Sequence, residues 1–143
     1  MLTYQQWDLI ADSYIPVLAT FTLVLLLQQS KQPGTKYGLI NLFHLVLSIV
    51  FIYLMMFIDQ TFELWPSFGL DYSTHTALAL VFVIFIGLNN VKCCIASCLS
   101  MFMYAGLMIY QEYHSVLDIL TTALVVVPVV YWLQNRALHT KTA

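Results

Sequence analysis

The chain has 143 residues, of which 61% are hydrophobic and only 8% are charged. A soluble domain carries roughly one-quarter charged residues, so this composition excludes an ordinary soluble fold and indicates an all-α membrane protein. The net charge of −2 is small and no basic patch is present, so we expect no nucleic-acid partner.

Apolar stretches predict a bundle of about five transmembrane helices, covering residues 15–28, 39–58, 74–88, 93–110 and 116–133. A crossing takes about 20 residues, so five crossings use most of the length and predict a single transmembrane domain over residues 1–143. Pro33-Gly34 predicts a turn after the first helix. The connection at Asn89-Asn90 is very short, so the third and fourth helices should be antiparallel neighbours.

Acidic and basic residues alternate between successive connections. In chain order these carry Asp8 and Asp12, then Lys31 and Lys36, then Asp59, Glu63 and Asp71, then Lys92, then Glu112 and Asp118, then Arg136 and Lys141. Because basic loops stay on the cytoplasmic side, we expect an outer N-terminus and a cytoplasmic C-terminus. Residues 1–14 lack the positive start of a signal peptide, so we expect them in the mature chain, at the outer interface.

The three cysteines, Cys93, Cys94 and Cys98, follow Lys92 at the predicted cytoplasmic end of the fourth helix. A reducing compartment disfavours disulfides there, and the spacing matches no zinc motif. We interpret them as small core or lipid-facing residues, with palmitoylation or metal binding as alternatives. His44, deep in the second helix, is interpreted as a hydrogen-bonded core histidine.

The chemistry-bearing residues concentrate in the two outer connections. His114 and Asp118 are four residues apart, so they share one face of a helix that begins near Ser115, and the carboxylate can orient the imidazole. An aspartate just inside a span needs a partner. His75 begins the third helix on the same side. The sequence therefore predicts that His75, His114 and Asp118 form one site near the outer surface, with His114 and Asp118 in contact.

Such a set suits phosphoryl transfer. A carboxylate-held imidazole can attack phosphorus, while a second histidine protonates the leaving oxygen and later activates the acceptor. Free amides at the start of the third helix offer a place for a phosphate oxygen. We therefore expect a phospholipid headgroup to contact the segment before that helix, with Glu63 as an additional carboxylate and the aromatic loop 65–72 beside it. The expected substrate-binding residues are Glu63, Asp71, Tyr72, Ser73 and Thr74.

These residues carry a resemblance to the type 2 phosphatidic acid phosphatase superfamily, and most to its sphingomyelin synthase branch. In that branch the first motif is approximately Gly-Asp-x-x-x-Ser-Gly-His-Thr and the second is His-Tyr-Thr-x-Asp. The corresponding positions here are Asp71, Ser73, His75 and Thr76 for the first motif, and His114 and Asp118 for the second. The resemblance covers residues 69–132 and implies a histidine nucleophile at His114, oriented by Asp118, with His75 as the acid and base and no cofactor.

The chain also departs from the family pattern. Thr74 replaces the glycine of the first motif, the spacing from Asp71 to His75 is two residues shorter, and the phosphatases' Lys-x6-Arg-Pro element is absent. The family's six-span core is shortened to five, without the first. The predicted outer face has no lysine or arginine, so amides, hydroxyls, histidinium or a bound cation must meet the phosphate charge.

Three functions therefore remain open. The first is a lipid phosphatase or phospholipid headgroup phosphotransferase that acts on membrane lipids at the outer leaflet. The second is a non-catalytic membrane subunit or lipid-binding partner with the same fold, in a homo- or hetero-oligomer. The third is a metal site, because two histidines and a carboxylate are acceptable zinc ligands.

Overall fold

A computed structural model of the chain describes residues 3–31 and 35–139. The helices are α1 (Tyr4–Lys31), α2 (Thr35–Phe62), α3 (Thr74–Asn89), α4 (Val91–Tyr110) and α5 (Val116–His139), with a short 3-10 helix at Pro66–Phe68. This described part contains no strand, which confirms the all-α class. The predicted turn at Pro33-Gly34 lies outside the described residues.

Four of the helices, α1, α2, α4 and α5, are long and apolar enough to cross a membrane. The helix α3 is shorter, at 16 residues, which corresponds to a length of about 24 Å. It contacts each of the other four helices, and half of its residues are buried, including Val81, Phe85 and Ile86. The most hydrophobic and shortest helix is therefore the centre of the bundle, and the four longer helices surround it.

The first helix begins well before the predicted span. Residues 4–14 continue α1, so the helix starts before the apolar stretch, and the expected position of these residues at the outer interface stays a prediction. Trp7 contacts the edge of Tyr110 at a ring distance of 6.1 Å, and Tyr14 stacks on Tyr104 at 4.2 Å. Because these contacts fix the start of α1 against α4, the residues that precede the apolar stretch become part of the bundle wall.

A few polar contacts join the helices inside the apolar bundle. The Gln134 amide nitrogen donates to the Val81 carbonyl at 3.1 Å, which ties α5 to α3. Gln29 donates to the Asn89 side chain at 2.7 Å, which ties the end of α1 to the end of α3. His44, which we interpreted as a hydrogen-bonded core histidine, is half-buried. Its Nδ1 lies 2.9 Å from the Ile40 carbonyl of the same helix, so this contact does not join two helices.

The helix directions separate the charges between the two ends of the bundle. The acidic residues precede or begin α1, α3 and α5, or end α2 and α4. Contacts join several of these segments: Asp8 accepts a hydrogen bond from Tyr113, and Asp71 lies beside His114. We call this the acidic end. The lysines and arginine of the described residues, Lys31, Lys36, Lys92 and Arg136, lie toward the opposite end.

Candidate functional site

A single carboxylate, that of Asp118, joins the two connections at the acidic end. Its Oδ2 accepts the Ser115 amide at 2.7 Å, while the Ser115 hydroxyl accepts the Asp118 amide at 3.2 Å. This reciprocal pair is a capping box, which starts α5 at the residue after Ser115. The other oxygen, Oδ1, accepts the Asp71 amide at 2.8 Å. The connection before α3 is thereby fastened to the start of α5.

Further hydrogen bonds from the same connection reach the next turn of α5. The Ser73 amide donates to the Thr122 hydroxyl at 3.1 Å, and the Trp65 indole donates to the Thr121 hydroxyl at 3.0 Å. Ser73 also caps α3, because its hydroxyl accepts the Thr76 amide at 3.3 Å. These bonds set the position of His75, two residues after Ser73, relative to α5.

His75 and His114 line one cavity of about 180 Å³ at the acidic end. The structure thus brings together the two histidines that the sequence placed on separate segments. The cavity opens between α1, α3 and α4, and its other lining residues are Ala11, Asp12, Tyr104, Met108 and Tyr113. His75 is exposed, whereas the His114 side chain is only 10% exposed.

The carboxylate beside His114 is that of Asp71. Its Oδ2 lies 3.7 Å from the imidazole Nδ1, and this nitrogen has no hydrogen-bond partner among the described residues. Asp118, which we expected to orient the ring by direct contact, instead accepts backbone amides with both oxygens. The reason is the start of α5. The family pattern pairs the Asp118 carboxylate with the histidine, but here this carboxylate forms the capping box. Asp118 therefore acts on His114 through its charge and through the position of Asp71.

The pKa of His114 is lowered from its ordinary value of 6.5, because burial disfavours the charged ring. The charges of Asp71 and Asp118 oppose this effect, and the proximity of His75 adds to it. The net result favours a neutral imidazole at pH 7. A neutral ring retains the lone pair that a nucleophile or base requires.

The other predicted substrate-binding residues have mostly structural contacts. Tyr72 is buried, and its hydroxyl donates to the Ile52 carbonyl at 3.4 Å, while burial and the charge of Asp59 raise its pKa. Ser73 is fully buried as the cap of α3, and Thr74 donates its amide to the Tyr72 carbonyl at 3.1 Å. Glu63 is exposed on the loop. Asp71, whose side chain is 68% exposed, is the one of the five that lies beside His114.

The expected aromatic platform for a headgroup, residues 65–72, is likewise packed onto the bundle. Trp65 and Tyr72 are both buried and meet edge to face at 5.0 Å. The Asp59 carboxylate accepts the Trp65 amide at 2.8 Å, which fixes the bend after α2. Phe68 alone of these aromatics is widely exposed. Trp65 and Tyr72 therefore belong to the packed bundle, while residues 66–69 between them are exposed.

The cavity residues other than the two histidines were not identified as site residues from the sequence, and Asp12 and Tyr104 are the two that matter most here. Asp12 reaches the cavity because α1 is helical from Tyr4 onward. Its position among the acidic residues of the predicted outer side was the one sequence feature that could have indicated this. Tyr104 lies in the middle of an apolar stretch, and nothing in its spacing distinguished it from a core residue.

Within the described residues, no group of three or more His, Cys, Asp or Glu side chains is placed to bind a metal ion. The geometry thus lends no support to the zinc alternative. Cys93, Cys94 and Cys98 are free thiols.

Comparisons of the chain with protein-family models, with curated proteins and with solved structures found no match. The class defined by the fold is an all-helical protein with four helices able to span a membrane. The resemblance to the phosphatase superfamily rests on the two motifs alone and stays a prediction.

Removing the Asp118 carboxylate should destabilise the acidic end. We expect Asp118→Ala to reduce the free energy of unfolding by about 2 kcal/mol or more, because charge-assisted hydrogen bonds from two amides are lost. Thermal unfolding in detergent micelles measures this, with Glu112→Gln as the control because Glu112 is an exposed acid in the same connection. Equal melting temperatures for the two variants would contradict the structural role of Asp118.

The Asp71 carboxylate should control the titration of His114. Its charge raises the pKa of the ring, so Asp71→Asn should lower that pKa further below 6.5, as measured by NMR of labelled histidine in micelles. The pKa of His114 is lower in the folded protein than in the unfolded chain. The neutral ring therefore stabilises the fold fully above about pH 6.5. This stabilisation is lost as the pH falls through the folded-state pKa. Glu63→Gln is the control, and a shift of equal size in both variants would refute the pairing.

Proposed function

We propose that this protein is a membrane enzyme that transfers or hydrolyses a phospho-headgroup of a lipid, with His114 as the nucleophile. The observation that carries the proposal is the cavity at the acidic end, where two histidines from separate connections line one space. One of them is buried and has a lowered pKa, and an aspartate lies beside its Nδ1. These features suit a neutral imidazole that attacks and a second imidazole that moves protons.

The chemistry follows from the two imidazoles. With Nδ1 turned toward Asp71, Nε2 of His114 is the nitrogen available to attack phosphorus. The bond from phosphorus to the leaving oxygen breaks, and protonated His75 delivers a proton to that oxygen. The neutral His75 then removes a proton from water or from an alcohol, which attacks the phospho-histidine and releases His114. The charge of Asp71 stabilises the cationic ring during both steps.

The charges around the cavity favour a phosphodiester over a phosphomonoester. Asp12 lines the cavity and Asp71 lies at His114, while the described lysines and arginine lie toward the opposite end of the bundle. A phosphomonoester carries close to two negative charges at pH 7 because its second pKa is about 6, whereas a diester carries one. Repulsion by the two carboxylates is therefore smaller for a diester. The charges at the cavity thus favour headgroup transfer from a phospholipid over hydrolysis of a phosphatidic acid.

An apolar groove beside the cavity supports a lipid as the substrate. It has a volume of about 290 Å³ between α1 and α4, and its lining includes Trp7, Ile10 and Met103. Tyr104 lines both the groove and the histidine cavity. A lipid can thus place its phosphate at the histidines while an acyl chain lies along the groove.

The proposed site faces the extracytoplasmic side. The support is the separation of charge, because the positive-inside rule assigns the basic end of the bundle to the cytoplasm. Single cysteines at Ser67 and Thr35, both exposed and at opposite ends, test this in a background where Cys93, Cys94 and Cys98 are serine. An impermeant thiol reagent on intact cells should label the Ser67 position alone. Labelling of the Thr35 position alone would reverse the orientation.

Removing the nucleophile should abolish turnover without unfolding the protein. We expect purified protein in mixed micelles to release or exchange the headgroup of a phosphodiester lipid, and His114→Ala to reduce the rate at least about 1,000-fold, as for loss of other catalytic nucleophiles. His44→Gln is the matched control, because His44 is a half-buried histidine within α2. Size-exclusion chromatography checks folding in both variants.

Two results would contradict this function. Folded His114→Ala protein with the activity of the unmodified chain would exclude His114 as the nucleophile. If the unmodified protein processes no phospholipid in a panel of diesters and monoesters, the second function replaces the first. That alternative is a non-catalytic membrane subunit or lipid-binding partner, and the acidic surroundings of the cavity are the observation that favours it.

A further inference from the structure

Tyr104 is a buried hydroxyl group in the wall of the histidine cavity. The residue is 4% exposed, and its ring stacks on Tyr14 with an interplanar angle of 22°. The hydroxyl oxygen has no hydrogen-bond partner among the described residues. Buried polar atoms are nearly always paired, so this oxygen requires an explanation that the fold does not supply.

The location of the unpaired hydroxyl suggests that explanation. Several buried side chains of the described residues have an unpaired polar atom, and they are Thr22, Gln29, Tyr104, Gln111, His114 and Gln134. Of these, Tyr104 and His114 line the histidine cavity. The unpaired atom of His114 is Nδ1, which lies beside Asp71, so among the lining residues the Tyr104 hydroxyl is the unpaired group left for a bound molecule.

We propose that the Tyr104 hydroxyl donates a hydrogen bond to a phosphate oxygen of the lipid bound at His114. This inference rests on the proposed function and names a substrate-binding residue for it. A neutral donor suits this cavity because a lysine or arginine would form an ion pair with Asp12 or Asp71. Tyr104 also lines the apolar groove, so a lipid that occupies both spaces would contact this residue.

The test compares Tyr104 with Tyr53, a tyrosine of α2 that lines neither the cavity nor the groove. Tyr104→Phe removes the unpaired hydroxyl and keeps the ring, while Tyr53→Phe makes the same change at an exposed position. With a short-chain phosphatidylglycerol as the probe, we measure kcat, KM and equilibrium binding in micelles. Tyr104→Phe should weaken binding or reduce kcat/KM roughly 10- to 100-fold, the loss expected for a hydrogen bond to a charged oxygen. Tyr53→Phe should change these values by less than about threefold.

Thermal stability separates binding from a structural role. In the absence of lipid, Tyr104→Phe should melt at the same temperature as the unmodified protein or higher, because the lost hydroxyl has no partner in the fold. The inference is overturned if this variant melts at a lower temperature and its activity falls only in proportion to the folded fraction.

The remaining outcomes distinguish this inference from the proposed function. If His114→Ala is inactive but Tyr104→Phe has unchanged kcat/KM and binding, the function stands and the role of Tyr104 is refuted. If the unmodified protein has no activity, the binding measurement decides alone: weaker binding by Tyr104→Phe supports the hydrogen bond without catalysis. Equal binding by both variants, or no binding by the unmodified protein, refutes it.

Discussion

The carboxylate of Asp118 is the constraint on which the acidic end of the bundle depends. It caps the start of α5 and accepts the Asp71 amide, so one buried side chain sets the positions of two connections. Backbone amides satisfy both oxygens, which lets an aspartate lie 7% exposed in the first turn of an apolar helix. Asp71 is held through its backbone amide, which donates to Asp118, so its side chain is available to approach His114. The arrangement of the histidines thus follows from a helix cap.

The central helix α3 makes this arrangement possible because it is shorter than its neighbours. It begins at Thr74, after the connection 63–73, in which Trp65 and Tyr72 pack against each other. Ala11 and Asp12 of α1 line one side of the cavity, and Tyr14 of α1 stacks on Tyr104 of α4. The start of α1 therefore contributes both to the polar cavity, through Asp12, and to the apolar groove. A site with a polar space and an adjoining apolar groove suits a molecule that has both characters.

The sequence predicted the helices well and the contacts within the site less well. Long apolar stretches predict helices reliably because the backbone must be satisfied internally in lipid, and the predicted stretches all fall within observed helices. The proximity of His75 and His114 followed from their shared position at helix starts. Which carboxylate approaches His114 was not predictable, because Asp118 serves either a helix cap or an imidazole and only the folded connection decides between them. The position of Tyr104 in the cavity wall depends on the pairing of α1 with α4, which the local sequence pattern does not encode.

The covalent state of His114 during turnover tests the proposed mechanism most directly. The protein is mixed with a phosphodiester lipid, quenched in alkali within milliseconds to seconds, and digested for mass spectrometry. We predict that His114 carries the phospho-headgroup during turnover, in a modification that forms and decays at rates compatible with turnover. Turnover without any modified histidine, or a modification at His75 in place of His114, would contradict it.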